Sequence, residues 1–315
     1  MAQSQGVVTR PAPAARTRTR RRKALRRDLA AYLFLLPGLL HFAVFILFAV
    51  VYSFYLSFTR WDLLSKPVFI GLQNFADMVH DDLFWNALRV TLLYVVLSLP
   101  TGIALALALA LAMNLRLRGI AIFRACYFIP VVSSMVAVAM VWRWIYQPDF
   151  GLLNYGLSLL GIAGPDWLGD EHLTMLSLAI LSIWKNLGFN MVLFLAGLQG
   201  IPQSLYEAAA IDGAGPWQRF RNITWPLLTP TTFFVAVLGV IGSFQVFDQV
   251  VVMTGANGDP GDASRVYTFY LYTKAFRDHA MGYAAALAWV LFAIIAAVTA
   301  IQVRFLGRRV NYEVV

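Results

Sequence analysis

One feature recurs along the chain: a stretch of roughly 20 apolar residues, the length a helix needs to cross a hydrocarbon core of about 30 Å. Such runs lie near residues 30–58, 89–113, 121–143, 173–198, 229–254 and 283–305. Each reads as a spanning helix. Charged residues make up 13% of the 315-residue chain, about half the density of a soluble domain, which is about 25%. The expected fold is therefore an all-α integral membrane protein with about six transmembrane helices.

The basic residues supply an orientation. Nine of them fall in the first 29 residues, most within "RTRTRRRKALRR". A polybasic segment without aromatics, just before a span, reads as a topogenic signal that meets anionic lipid rather than as a nucleic-acid arm. The following run, about twice the length of a signal-peptide core and without a convincing cleavage site, is expected to stay as the first span. Arg116, Arg118 and Arg124, Arg219 and Arg221, and Arg304, Arg308 and Arg309 flank the turns on the same side. Acids such as Asp77, Asp81, Asp82, Asp166, Asp170 and Glu171 collect on the other. The positive-inside rule then puts both termini in the cytoplasm. The organisation expected is a basic cytoplasmic tail (1–29), a transmembrane domain (30–305) holding a cytoplasmic loop at 199–228, and a short cytoplasmic tail (306–315). On the outer side Phe75, Met78, Phe84 and Leu88 belong to an amphipathic piece expected on the membrane surface.

Several chemistries are not written in this sequence. The lone Cys126 rules out an internal disulfide and a CxxC site, and the four histidines are scattered, so no metal site is expected. There is no G-x-x-x-x-G-K-[ST] phosphate loop, no H-E-x-x-H and no G-x-S-x-G elbow. A catalytic site is not expected, and no cofactor in this chain. Transport against a gradient would need a coupled ion or a partner that spends energy.

Between the fourth and fifth runs stands a segment of soluble character, "SLYEAAAIDGAGPWQRF" (204–220). Ser204 and Glu207 have the spacing of a capping box. The spacing predicts a helix over 205–212 that ends at Gly213 in a left-handed C′ conformation. Gly215 and Pro216 suit the start of a second helix, expected to stop before Pro226. Two turns of helix do not hold in water alone. Ala208, Ala209 and Ala210 permit close backbone approach, and Glu207 and Asp212 offer charge to a basic partner. Physics alone leaves two readings, a docking surface for another protein and an interfacial helix lying on lipid.

Resemblance separates them. "EAAAIDGAGPWQRFRNITWPLL" (207–228) closely resembles the EAA signature of permease subunits in binding-protein-dependent ABC importers. The matching residues are Glu207, Ala208, Ala209, Gly213, Ile223, Pro226 and Leu227. "IDGAG" is similar to the carbohydrate uptake branch, which contains maltose-type and glycerol-3-phosphate-type permeases. The stretches 69–79, 123–134, 151–157 and 244–261 resemble branch members in matching order. The chain departs from many relatives in "GANGDPG" (255–261), and it lacks a large outer-loop insertion, which suggests a minimal subunit. The resemblance implies a type I ABC importer permease fold with the short helix as coupling helix. Its partners would be two cytoplasmic ATPase subunits that bind the ATP and Mg, a second homologous permease and an extracytoplasmic sugar-binding protein. Implied contacts to the ATPase are Glu207 as charged anchor, Ala208 and Ala209 as close-contact positions and Gly213 as the turn, with Asp212 beside it.

Polar groups at membrane depth point to a pathway. Lys185, Asn186 and Asn190 lie in the fourth run, and Ser243, Gln245, Asp248 and Gln249 in the fifth. Amides beside rings such as Trp184, Phe189, Phe244 and Phe247 suit a sugar's hydroxyls and apolar face. Asn186 and Asn190 are four apart and are expected to share a helical face, as are Gln245 and Gln249, with Asp248 adjacent. Alternatively Lys185 and Asp248 pair and fix the bundle, or serve as the switch of an ion-coupled transporter. A cation at Lys185 would also suit a polyol phosphate.

Overall fold

The structure, a computed structural model, describes residues 32–115, 119–255 and 257–305. The basic tail, Arg116, Arg118 and the C-terminal tail lie outside them. The chain divides into two units, Met1–Tyr55 and Leu56–Val315. The described part of the first unit belongs to one helix, α1 (Tyr32–Leu56). It is apolar on all sides and exposed from Tyr32 to Tyr52, the pattern of a lipid-facing span.

The second unit begins with two short strands, β1 (Thr59–Arg60) and β2 (Val68–Phe69), paired antiparallel with Thr59 opposite Phe69. Helix α2 (Gln73–Val79) is tied back to them by Asn74, whose Nδ2 donates to the carbonyls of Ser57 and Thr59 at 2.9 Å each. Helix α3 (Asp82–Met113) is capped by the Asp81 carboxylate, which accepts from Leu83 N–H at 3.0 Å. Its 32 residues span about 48 Å at 1.5 Å per residue, more than the membrane core requires. Here the outer piece departs from the sequence expectation. Met78 and Phe84 are buried, in one apolar cluster with Val240, Tyr267 and Leu287, and Phe75 and Leu88 pack against it. Aromatic area gains more from that core than from an interface.

The third apolar run is not one helix. α4 (Ile120–Val132) and α5 (Met135–Ile145) meet at 102° across Ser133 and Ser134. Beyond α6 (Leu152–Ser158) comes α7 (Thr174–Gln199), the central element of this unit. Its buried face repeats at helical spacing through Leu178, Leu181, Ser182, Lys185, Gly188, Met191, Leu195 and Leu198. It packs along α3, with α4 on its flank.

Helix α8 (Gln203–Ile211) and helix α9 (Pro216–Leu227) follow. α9 does not stop before Pro226. A widened turn at Phe220–Thr224, in which Trp225 N–H bonds Phe220 O, absorbs the proline, and the chain then bends by 61° into α10 (Thr229–Phe244). The fifth run is also broken: Gln245–Phe247 leave the helix before α11 (Asp248–Thr254). α12 (Tyr267–Tyr272), extended by a wide turn at Thr273–Arg277, leads to α13 (Met281–Phe305). Among the described residues four helices are long and apolar enough to cross a membrane, or up to six if each bent pair counts as one span. The six spans expected from hydropathy equal the upper count, and two of the expected runs, the third and the fifth, are broken.

Candidate functional site: a cavity between broken helices and an exposed helical hairpin

The break at 245–247 lines a cavity of about 490 Å³ that also reaches Met135, just after the α4–α5 bend. α7 contributes Ser182, Lys185, Asn186, Phe189 and Asn190 to its wall, the break after α10 contributes Gln245 and Phe247, and the start of α11 contributes Asp248 and Gln249. Met135, the first residue of α5, closes another side, and Tyr94 and Ser98 line it from α3. Of the residues read from sequence as a pathway, Lys185, Asn186, Phe189, Asn190, Gln245 and Asp248 are therefore neighbours of one space. Phe244 is not. It is buried in the cluster with Phe84 and Tyr267, on the opposite side of α10. Trp184 also stays outside the cavity and packs on Trp142, ring centroids 5.5 Å apart. Because residues 245–247 are not helical, the expected common face of Gln245 and Gln249 does not exist, although both reach the cavity from either side of the break.

The break at 245–247 is held by Thr268 on α12, whose hydroxyl donates to the Val246 carbonyl. Gln249 is committed to the protein. Its Nε2 donates to Tyr94 OH at 3.2 Å and to Ser182 Oγ at 3.1 Å, and Tyr94 OH donates to Ser182 Oγ at 2.6 Å. This buried triad joins α11 to α3 and α7, and a satisfied polar network of this kind fixes its helices relative to one another. Asn186 donates to Ser182 O at 2.9 Å and retains its oxygen for the cavity. Lys185 is spoken for as well: Nζ donates to Pro130 O and Ser133 O at 2.8 Å each and approaches Val131 O at 3.5 Å. No ion pair joins it to Asp248 among the described residues. Sequence reasoning missed Tyr94, Ser98 and Ser182. The available signal was a pair of polar side chains four residues apart inside an apolar run, Tyr94 with Ser98 and Ser182 with Asn186.

The second candidate region is the hairpin of α8 and α9. Only Gly200, Ile201 and Pro202 separate it from α7, and Ile201 is buried with Leu198, Leu228 and Val235, so the root of α8 is fixed to α7 and α10. The expected capping box is absent. Pro202 precedes the helix with φ −58° and its carbonyl accepts from Leu205 N–H at 3.2 Å. This starts the helix at Gln203, two residues earlier than expected, so Ser204 lies inside the first turn and cannot cap it. Gly213 does end it: φ is +75°, its N–H bonds Ala210 O at 3.1 Å, and Ala214 N–H bonds Ala209 O at 2.8 Å. These two bonds are the Schellman pair. Gln218 then caps α9 by accepting from Gly215 N–H at 2.9 Å, and Arg219 Nε donates to Ala214 O at 2.8 Å. Tyr206 and Thr224 hydroxyls meet at 2.9 Å and pin the two helices together. Glu207, Ala208, Asp212 and Gly213 are exposed and Ala209 is half-buried. Ile211 is 87% and Trp217 69% exposed.

Residues 98–312 match the family model described as "Binding-protein-dependent transport system inner membrane component". The chain belongs to this family. It is 37% identical over 295 residues to the probable ABC transporter permease protein YesP of Bacillus subtilis (strain 168), covering 92% of this chain and 95% of that one. It is 35% identical to the arabinooligosaccharides transport system permease protein AraP of the same organism over 282 residues, 88% of each chain. Among solved structures, a chain of a bacterial ABC transporter involved in the import of the acidic polysaccharide alginate superposes with a TM-score of 0.81 at 24% identity. It covers 92% of this chain and 99% of that one. That likeness identifies the fold as that of an ABC importer permease. As a family member the chain is a transmembrane transport subunit.

Proposed function

We propose that this chain forms half of the translocation pore of an ATP-driven importer for neutral oligosaccharides. The single observation that carries the substrate class is the cavity between the broken helices. Asn186, Asn190 and Gln245 bring amides, and Phe189 and Phe247 bring rings, the pairing that reads a sugar's hydroxyls and its apolar face. AraP's stated cargo, an arabinooligosaccharide, supports the same class. A polyol phosphate is the less favoured cargo: the ammonium of Lys185 is occupied by backbone carbonyls, while Asp248 adds negative charge to the wall.

In this reading both termini and the α8–α9 hairpin are cytoplasmic. α8 docks in a cleft of an ATPase subunit, with Glu207 and Asp212 meeting basic groups, Ala208 and Ala209 in close contact and Gly213 forming the turn. Two such ATPases hold the ATP and Mg, so this chain needs no cofactor of its own. A second homologous permease completes the pore, and an extracytoplasmic binding protein delivers sugar. The test is a panel of neutral oligosaccharides and polyol phosphates offered to the cognate binding protein, followed by uptake through the assembled complex. Uptake of a neutral oligosaccharide is expected. Binding and uptake confined to phosphorylated polyols would overturn the substrate class.

A further inference from the structure

The bend between α4 and α5 leaves backbone acceptors at membrane depth, and one side chain gathers them. The last four carbonyls of a helix have no partner within it, and unpaired carbonyls are strongly disfavoured in hydrocarbon. At this bend Ile129 O accepts from Ser133 Oγ at 3.3 Å. Pro130 O, Val131 O and Ser133 O all face Lys185 Nζ. Three contacts match the three donors of an ammonium, and a cation at this point also sits at the negative end of the α4 dipole. One turn further along α7, a Cβ built on Gly188 would lie 2.0 Å from Tyr127 O. The α4 backbone thus rests directly on α7 beside the ammonium.

The same helix grips the other broken span. Ser182, three residues before Lys185, accepts from Gln249 on α11. α7 is therefore bonded to α11 through Ser182 and to the α4–α5 bend through Lys185, the discontinuous elements on either side of the cavity. It runs into α8 within three residues, Gly200 to Pro202.

We propose that Lys185 is a positioning residue that fastens the α4–α5 bend to α7, so that a displacement of α8 reaches both broken helices around the cavity. It does not contact the transported substrate. The proposal rests on the reading of the chain as half of an importer, and the wild-type complex is the control. Absence of ATP-driven uptake by the wild type counts against that reading, whereas differences among the variants bear on Lys185 alone.

The experiment compares K185M, K185R and G188A with the wild type as assembled complexes in proteoliposomes. The readouts are the KM for liganded binding protein and the substrate moved per ATP hydrolysed. Expected for K185M is a drop of about tenfold in substrate moved per ATP, with KM within about twofold of wild type, and recovery of most of the coupling in K185R. G188A lines no part of the cavity and keeps the ammonium, yet its methyl pushes α4 off α7, so it should uncouple similarly. A raised KM at unchanged stoichiometry in K185M would make Lys185 a substrate contact and overturn the proposal. So would wild-type stoichiometry in both variants. If K185M does not assemble, G188A decides. Failure of both to assemble overturns the proposal in favour of a purely structural lysine.

Discussion

Gly213 offers the sharpest perturbation of the exposed hairpin, because its backbone demand separates cleanly from its packing. Its φ of +75° lies in the left-handed region, and an added Cβ would meet no atom within 4 Å. Alanine therefore suffers only conformational strain, about 1–2 kcal/mol, equivalent to roughly a 5- to 30-fold shift against the turn. Proline is a different matter. Its ring holds φ near about −65° and removes the N–H, which here bonds Ala210 O at 3.1 Å. The bond from Ala214 N–H to Ala209 O depends on the same turn, so both Schellman bonds go and the entry into α9 is redirected. The assay is ATP hydrolysis by the reconstituted complex with and without liganded binding protein, alongside a check that the chain inserts in the membrane. G213A is expected to lower stimulated hydrolysis severalfold, and G213P to abolish it with insertion intact. Reversing charge on the same helix with E207K should act like G213P. Stimulated hydrolysis at the wild-type level in an inserted G213P complex would refute the proposed docking of α8 on an ATPase.

Phe244 and Phe189 should part ways: F244A opens a cavity in the core and lowers stability by about 3–5 kcal/mol, whereas the exposed Phe189 at the cavity wall affects uptake. Thermal melting in detergent and uptake KM distinguish them, and a changed sugar preference in F244A at unaltered melting would contradict the packing. Asp81 gives a pH signature outside the membrane spans. Burial raises its carboxyl pKa, but donation from Tyr270 and Tyr283 hydroxyls and Leu83 N–H outweighs this and holds it below the usual range. A depressed carboxyl stabilises the fold above its unfolded pKa near about 4, and that contribution fades as pH falls through the lower folded value. D81N should melt below wild type at neutral pH, with the gap closing under about pH 4. A gap independent of pH would count against the assignment.

Much of the helical layout was legible because lipid demands long apolar runs, and hydropathy measures that demand directly. The breaks were not legible for the same reason: "PVVSSMVAV" stays apolar enough across Ser133 and Ser134 to pass as one run. Without the 102° bend, Lys185 has no visible reason to be in a membrane helix, and the sequence alone offers only substrate or Asp248 as its partner. The acceptors that occupy it are backbone carbonyls more than 50 residues away, which no side-chain pattern encodes. The break after Phe244 had a similar effect, turning Phe247 to the cavity and leaving Phe244 in the core. At Gly213 local rules sufficed, since a left-handed helix end needs only a glycine in place. At Ser204 they misled, because the backbone of Pro202 started the helix first.

In the proposed function this chain is a passive half-pore driven by ATP hydrolysed elsewhere. The most direct measurement is sugar uptake by proteoliposomes holding either the full complex or this chain alone, with ATP held constant and proton and sodium gradients collapsed by ionophores. Uptake that requires the complex, follows ATP and survives the ionophores is the predicted result. Uptake by the chain alone, or uptake by the complex that collapses with the ion gradients, would contradict it.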